Sequence, residues 1–177
     1  RELPEEQRRG IYVSVNLSPL QFKQIDLVDR IGGILESTRL PAQNLNLEVT
    51  ETIVMDDPEE AIAKMREIKS LGVRLALDDF GTGYSSLSYL RRFEFDTLKI
   101  DRSFVADVDK SRSGQELLRA MLNMARAFGM KSLAEGVERE EELAFLWSEG
   151  CDLVQGYYFS PPVAWEEFRG LLSKGMP

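Results

Sequence analysis

Short hydrophobic runs of strand length alternate along the chain with longer segments that carry helix signals. The runs are rich in Val, Ile, Leu or Thr, as β-strands usually are. Strands that are each followed by a helical segment indicate a parallel sheet with right-handed crossover connections. The predicted strands are Ile11–Leu17, Leu45–Thr50, Val73–Asp78, Thr97–Asp101, Met130–Glu135 and Asp152–Tyr157.

The segments between the strands contain residues that start helices. Ser18 and Asp57 each precede a proline, and this order is typical of an N-cap followed by the first helical residue. Ser113 and Glu116 have the spacing of a capping box, which predicts a helix that begins there. The last two helices are predicted at Arg139–Glu149 and Trp165–Ser173.

The strands themselves have one apolar face and one polar face, because successive side chains of a strand point to opposite sides. In Leu45–Thr50 the two leucines and Val49 share one face. Asn46, Glu48 and Thr50 share the other face, and three further strands repeat this alternation. A doubly wound sheet should be apolar on both faces. A (β/α) barrel, in which polar residues meet at the carboxyl ends of the strands, fits the pattern better.

Composition narrows the chemistry that such a fold can perform. The chain has 177 residues, which fits one domain over residues 1–177, and it contains no histidine. The missing histidine excludes serine–histidine and cysteine–histidine nucleophiles and histidine-bound zinc. The only cysteine, Cys151, cannot form an intrachain disulfide, and this suits the reducing cytoplasm. The net charge of −8 argues against DNA or RNA polymers as partners.

Polar residues at or near the carboxyl ends of the predicted strands are the candidate site. Most of them are carboxylates or amides, which are hard oxygen ligands that suit Mg²⁺ or Mn²⁺. A single carboxylate at a strand end is more often a turn former or a helix cap. The last two strands are less regular, because Glu135 shares its face with Leu133 and Gln155 shares its face with Leu153. A polar residue near the end of all six strands still favours a shared site, because capping does not require such residues to share a face. The candidates are Asn16, Glu48, Asp78, Asp79, Lys99, Asp101, Glu135 and Gln155.

Six motifs that follow one another along the chain carry a family resemblance. They are Val15-Asn16-Leu17-Ser18, Leu47-Glu48-Val49-Thr50-Glu51, the Asp-Asp-Phe-Gly-Thr-Gly-Tyr-Ser-Ser-Leu loop from Asp78 to Leu87, Leu98-Lys99-Ile100-Asp101-Arg102-Ser103-Phe104, Ala134-Glu135-Gly136-Val137-Glu138 and Gln155-Gly156-Tyr157-Tyr158-Phe159. Together they cover nearly the whole chain, which resembles the EAL domain family of bacterial cyclic di-GMP phosphodiesterases. The resemblance implies a TIM-type (β/α) barrel and hydrolysis of cyclic di-GMP to linear pGpG.

The resemblance also implies a two-metal site with Mg²⁺ or Mn²⁺. It assigns Asn16, Glu48 and Asp78 to the first metal, with Asp78 bridging, and Asp79 and Glu135 to the second. Two metal ions can generate a hydroxide and stabilise an in-line displacement at phosphorus without any histidine. Calcium is expected to inhibit, because it is larger and polarises water less.

The remaining roles come from the same resemblance. Lys99 would orient the attacking water, while Asp101 and Gln155 would support Lys99 or the metal-bound water. Glu138 would contact the substrate. Thr50 and Glu51 would support the loop at Asp78–Leu87. The implied partners are cyclic di-GMP, a second copy of the chain in a homodimer, and sensory or GGDEF-type neighbouring domains.

The chain departs from the family in one respect, because the Glu-Ala-Leu motif is absent. In the family this motif lies upstream of the Asn16 strand. A complete barrel has about 250 residues and eight strands, so the chain is expected to be an incomplete barrel with about six of eight β/α units. N-terminal truncation is the simplest explanation, and degeneration is the alternative. The chain alone is expected to be weak or inactive as an enzyme.

Two other function classes stay open at this point. One is a degenerate receptor that binds cyclic di-GMP without hydrolysis. The other is a scaffold that uses the barrel only for contacts with partner proteins. The intact set of candidate ligands argues against the receptor, and the repeated polar face is unexplained by the scaffold.

Overall fold

A computed structural model of the chain describes residues 11–81 and 87–174. The chain divides into two compact units, Arg1–Thr97 and Leu98–Pro177. The first unit contains β1 (Val13–Asn16), α1 (Pro19–Phe22), α2 (Leu27–Thr38), a short 3₁₀ turn (Ala42–Asn44), β2 (Leu45–Thr50), α3 (Glu51–Asp56), α4 (Pro58–Ser70), β3 (Arg74–Phe80) and α5 (Leu87–Leu90). The second unit contains β4 (Thr97–Ile100, whose first residue belongs to the first unit), α6 (Arg102–Val105), α7 (Arg112–Ala127), β5 (Lys131–Ala134), α8 (Glu140–Ser148), β6 (Leu153–Val154) and α9 (Trp165–Lys174).

The three strands of the first unit pair in parallel. β1 pairs with β2 so that Asn16 lies opposite Glu48. β2 pairs with β3 so that Thr50 lies opposite Asp78. This register sets the carboxyl ends of the three strands side by side, which is where a parallel α/β sheet places its ligands.

The core of the first unit follows the predicted alternation in β2 and β3. Val49, Leu75 and Leu77 have no exposed surface, and Ile68 of α4 is equally buried. In β1 the prediction of a buried apolar face is wrong, because Val13 and Val15 are 49% and 43% exposed. β1 is an edge strand among the described residues, so fewer neighbours cover it.

The second unit is built around β4, β5 and β6. β5 and β6 are parallel, with Leu133 opposite Leu153. The backbone N–H of Glu135, directly after β5, donates to the carbonyl of Ile100 in β4 at 3.1 Å. Leu118 of α7 and Leu146 of α8 are fully buried, so both helices contribute to the core of this unit.

The helix starts agree with the sequence in two cases and differ in one. The side chain of Ser18 caps α1, and that of Asp57 caps α4, as predicted. The capping box at Ser113 is wrong. α7 begins at Arg112, and the Ser111 hydroxyl accepts the backbone N–H of Gly114 at 3.1 Å. Ser111 is an equally good N-cap two residues earlier, and it extends the helix.

Other boundaries shift by a few residues. Of the predicted strand Asp152–Tyr157, only Leu153–Val154 has strand pairing, so the prediction is wrong for the other residues. The helices α2 and α3 were not expected from the pattern. None of the helices within residues 11–81 and 87–174 combines the length and the hydropathy that crossing a bilayer requires.

Candidate active site

Three predicted metal ligands of the first unit lie together at the ends of β1, β2 and β3. Glu48 and Asp78 are 7% and 8% exposed, whereas Asn16 is open to solvent. One end of the Asn16 side-chain amide lies 3.3 Å from Glu48 Oε2 and 3.2 Å from Asp78 Oδ2. The strand register brings these three side chains together, as the sequence predicted.

The Asn16 amide can satisfy the two carboxylates in either of two ways. With its nitrogen toward them, it donates a hydrogen bond to each. With its oxygen toward them, three oxygens converge, and a cation shared among them removes the repulsion. Adjacent ligands of an octahedral Mg²⁺ with bonds of about 2.1 Å are about 3 Å apart. The donor set and its spacing therefore fit a divalent metal.

Asp79 has a left-handed backbone conformation, which is uncommon for residues other than glycine although aspartate tolerates it. Its φ is +54°, in the left-handed region, and its backbone N–H donates to Asp78 Oδ1 at 3.0 Å. Non-glycine residues in this region cost energy and concentrate at functional sites. Asp78 is therefore held through one oxygen by its neighbour, while its other oxygen faces Asn16.

Glu51, predicted to support the loop, is the first residue of α3 and is 3% exposed. Neither of its carboxylate oxygens has a hydrogen-bond partner within the described part of the chain. Half-buried Thr50 is the N-cap residue of this helix. The predicted loop at Asp78–Leu87 includes residues 82–86, which lie outside the described residues. Glu51 also lines a groove of about 500 Å³ together with Pro19, Lys23, Thr52, Ile53, Met55 and Asp56.

In the second unit, Lys99 and Glu135 form an ion pair. Lys99 Nζ lies 2.9 Å from Glu135 Oε1, and the side chains are 6% and 20% exposed. Lys99 belongs to β4, and Glu135 follows β5, so both lie at strand ends as predicted. Water screens such a buried pair weakly, and the two charges therefore compensate each other strongly.

Asp101 lies directly after β4 and caps α6. Its Oδ1 accepts the backbone N–H of Ser103 at 2.9 Å. Hydrogen bonding from Ser103 lowers the pKa of Asp101 below its ordinary value. Asp101 is therefore ionised at neutral pH, and one of its oxygens is already used by the helix.

Gln155 and Glu138 are placed by backbone contacts and expose their side chains. The backbone N–H of Gln155 donates to the Ala134 carbonyl at 2.9 Å, and its carbonyl accepts from Val137 at 3.1 Å. The backbone N–H of Glu138 donates to Glu142 Oε2 at 3.0 Å. Both side chains are exposed next to the ends of β5 and β6, where a substrate can reach them.

The sequence reasoning missed one acidic cluster, formed by Asp107, Asp109 and Glu142. The guanidinium of Arg139 donates to Glu142 at 2.8 Å and also to Asp109. Arg139 thereby lowers the pKa of Asp109. Because an arginine already occupies the position that a cation would take, this cluster is a structural ion-pair network. The spacing of Arg139 and Glu142, three residues apart at a helix start, was the available signal.

Comparisons with known proteins show which family and which fold the chain is similar to. The model of the EAL domain family matches residues 1–162. The cyclic di-GMP phosphodiesterase NbdA of Pseudomonas aeruginosa is 45% identical over 159 residues, which are 88% of this chain and 20% of NbdA. The chain spans about a fifth of the length of the curated relatives it matches.

Solved structures are similar over most of the chain. The EAL domain of Mycobacterium smegmatis DcpA is 39% identical, with a TM-score of 0.91 over 96% of this chain and 76% of that chain. Klebsiella pneumoniae BlrP1, solved with manganese and cyclic di-GMP, is 33% identical, with a TM-score of 0.80 over 89% of this chain and 41% of that chain. The prediction of an α/β fold of TIM-barrel type, with six of its strands in this chain, is confirmed.

Proposed function

Because the chain belongs to the EAL domain family, we propose that its function is the hydrolysis of one phosphodiester bond of cyclic di-GMP to linear pGpG, with Mg²⁺ or Mn²⁺ as cofactor, and that residues 1–177 alone have weak activity or none. The observation that carries this proposal is the convergence of Asn16, Glu48 and Asp78, in which one atom of the Asn16 amide lies 3.3 Å from Glu48 Oε2 and 3.2 Å from Asp78 Oδ2. The names of NbdA, a cyclic di-GMP phosphodiesterase, and of the BlrP1 complex support the substrate and the need for a divalent ion.

In this proposal the carboxylates are the metal ligands. Asn16 and the carboxylates of Glu48 and Asp78 would hold the first ion, and Asp79 and Glu135 would hold the second. Bound divalent ions supply an activated water and offset the negative charge that develops during in-line displacement at phosphorus. The low exposure of Glu48 and Asp78 keeps these ligands away from bulk water, which strengthens their attraction for a cation.

The other residues act on water and substrate. Lys99 orients the attacking water with its buried ammonium group, whose charge also balances Glu135. Asp101 and Gln155 support this arrangement, and exposed Glu138 contacts the substrate. Buried Glu51, together with Thr50, supports the loop at Asp78–Leu87, because a buried carboxylate requires hydrogen-bond donors.

The proposal extends to the surroundings of the domain. A cytoplasmic location, a homodimer and GGDEF-type or sensory neighbouring domains suit a protein that removes a bacterial second messenger. The bifunctional diguanylate cyclase/cyclic di-GMP phosphodiesterase MucR of Pseudomonas aeruginosa, 37% identical over 155 residues, which are 88% of this chain and 23% of MucR, supports the last of these.

The test is incubation of the purified protein with cyclic di-GMP and Mn²⁺, with pGpG measured by chromatography. The Glu48→Gln variant should abolish turnover, whereas Glu67→Gln, an exposed position on α4, should leave it unchanged. Since the chain alone is expected to be weak, slow turnover that Glu48→Gln removes is enough to support the enzyme, whereas binding of cyclic di-GMP with no turnover at all would favour the receptor. Full turnover by Glu48→Gln would show that the ligand assignment is wrong.

A further inference from the structure

Arg102 packs closely against the turn that follows β5 in the second unit. It is the first residue of α6 and directly follows Asp101, the N-cap residue. A Cβ added to Gly136 would lie 2.4 Å from the Arg102 Cβ and 3.4 Å from its Cα. The left-handed φ of Gly136, +70°, and its missing side chain therefore allow Arg102 to approach the turn that follows Glu135.

The neighbouring charged side chains at these strand ends already have partners. The ammonium of Lys99 is paired with Glu135 at 2.9 Å. One carboxylate oxygen of Asp101 accepts the backbone N–H of Ser103. The side chain of Arg102 is exposed and forms no salt bridge with any residue in the described part of the chain. Arg102 therefore offers an accessible positive charge on a residue that packs against Gly136, which follows the proposed metal ligand Glu135 in the chain.

A cyclic dinucleotide carries negative charges that an accessible guanidinium can bind. Cyclic di-GMP has two phosphodiester groups, each with one negative charge, and only one of them is cleaved at a time. The other must lie near strand ends that are rich in carboxylates. Arginine binds a phosphodiester through two parallel N–H···O hydrogen bonds, which a lysine cannot reproduce.

We propose that Arg102 binds the second, non-reacting phosphodiester of cyclic di-GMP, an inference that rests on the proposed function. The residue is then a binding residue that selects cyclic dinucleotides over ligands with a single phosphodiester. The packing of Arg102 against Gly136 places the residue at the turn that follows Glu135, and this role leaves Lys99 paired with Glu135.

The experiment is calorimetric titration of the purified protein in Ca²⁺, which is expected to bind the substrate without turnover. Two ligands are compared: cyclic di-GMP and the linear dinucleotide GpG, which keeps both guanines but has only one phosphodiester. Arg102→Gln should raise the Kd for cyclic di-GMP about tenfold or more, the loss of a charge-assisted pair of hydrogen bonds. The Kd for GpG should change much less, and Arg102→Lys should give an intermediate Kd for cyclic di-GMP.

The matched control is Arg112→Gln. Arg112 is also exposed, also the first residue of a helix after its N-cap, and carries the same charge. The Kd of the Arg112→Gln variant for cyclic di-GMP should stay within about twofold of the wild-type Kd, because surface charge alone contributes little to binding. Unfolding curves of all variants show whether the fold is intact.

The outcomes separate the two proposals. If Arg102→Gln binds cyclic di-GMP as Arg112→Gln does, while the wild type still hydrolyses it, only the role of Arg102 is wrong. An equal rise in Kd for cyclic di-GMP and GpG in Arg102→Gln also overturns the role of Arg102, because the effect would then not depend on the second phosphodiester. If the wild type neither binds nor hydrolyses cyclic di-GMP, the proposed function and the role of Arg102 are both wrong.

Discussion

Lys99 Nζ and Glu135 Oε1 lie 2.9 Å apart in a mostly buried ion pair, so a proposed metal ligand already faces a positive charge. A buried carboxylate is stable only with such compensation. If Glu135 holds a divalent ion as proposed, Lys99 would no longer be the only positive charge facing it and would be available to orient water. The ion pair would then couple metal binding to the position of Lys99.

This coupling predicts how Lys99→Met responds to metal. In the presence of a chelator the variant should unfold at a lower temperature than the wild type, because Glu135 loses its partner. Mn²⁺ should raise the Tm of the variant by more than it raises that of the wild type, and turnover should be lost. Thermal unfolding with and without Mn²⁺ measures this. Lys131→Met, at an exposed position of β5, is the control, and equal Mn²⁺ shifts in all three proteins would contradict the coupling.

Asp78→Asn tests the first metal position. The substitution keeps the size of a side chain that is 8% exposed and removes its charge. The affinity for Mn²⁺ should fall by about tenfold or more, since the loss of even an outer-shell partner has this effect. Titration calorimetry with Mn²⁺ measures the change. Asp29→Asn on α2, which is exposed, should bind as the wild type does, and an unchanged affinity in Asp78→Asn would exclude Asp78 as a ligand.

The contact between Gly136 and Arg102 predicts a difference between two glycines. Gly136 and Gly129 have nearly the same φ, +70° and +73°, but an added Cβ at Gly129 meets nothing within 4 Å. Gly129→Ala should cost about 1–2 kcal/mol, the penalty of a left-handed backbone alone. Gly136→Ala should lower the free energy of unfolding further, because its Cβ would clash with Arg102. Urea unfolding of both variants measures this, and equal losses would show that the close contact has no energetic weight.

Glu142 predicts an acid-sensitive contribution to stability. Burial acts to raise its pKa, but hydrogen bonds from the backbone N–H groups of Glu138 and Asp107, and from Arg139, hold the pKa below its ordinary value of 4.5. The folded protein therefore releases this proton more readily than the unfolded chain. The stabilisation is complete above the unfolded pKa and is lost as the pH falls through the lower, folded pKa.

Glu142→Gln should consequently reduce the free energy of unfolding at pH 7 and flatten its dependence on pH below about 4.5. The loss at neutral pH should be about 2–3 kcal/mol, since several donors lose a charged acceptor. Chemical unfolding between about pH 3 and pH 7, a range that spans the ordinary pKa of a glutamate, measures both effects. Glu140→Gln, an exposed position in the same helical turn, is the control. A pH profile parallel to that of the wild type would rule out the assigned role.

The sequence was sufficient where local chemistry and strand alternation decide the structure. Glu48 and Asp78 were predicted from alternation alone, and parallel pairing brings them together with Asn16. Long-range packing could not be predicted from the sequence. The exposure of Val15 depends on which strands cover β1, and the arginine that holds Asp109 and Glu142 comes from a helix start 30 residues away from Asp109.

Competing local signals explain the other differences. Ser111 and Ser113 are both able to cap a helix, and only the backbone φ and ψ of Ser111 show which of them does so. The positive φ of Asp79 has no compositional signature, because aspartate tolerates the left-handed region without requiring it. The position of Arg102 is not evident from the sequence for a related reason. Its close packing against the turn that follows Glu135 depends on Gly136, which the sequence shows only as part of a motif.

The Asn16 amide makes the state of the first metal position observable without any added probe. Its nitrogen suits the two carboxylates when they face each other without a cation, and its oxygen suits them when they share one. If the position binds a metal ion as proposed, loading it would correspond to a half-turn of a single side-chain amide. The two amide protons of Asn16 would leave the carboxylates and enter solvent, so their NMR chemical shifts and exchange rates would report metal occupancy directly.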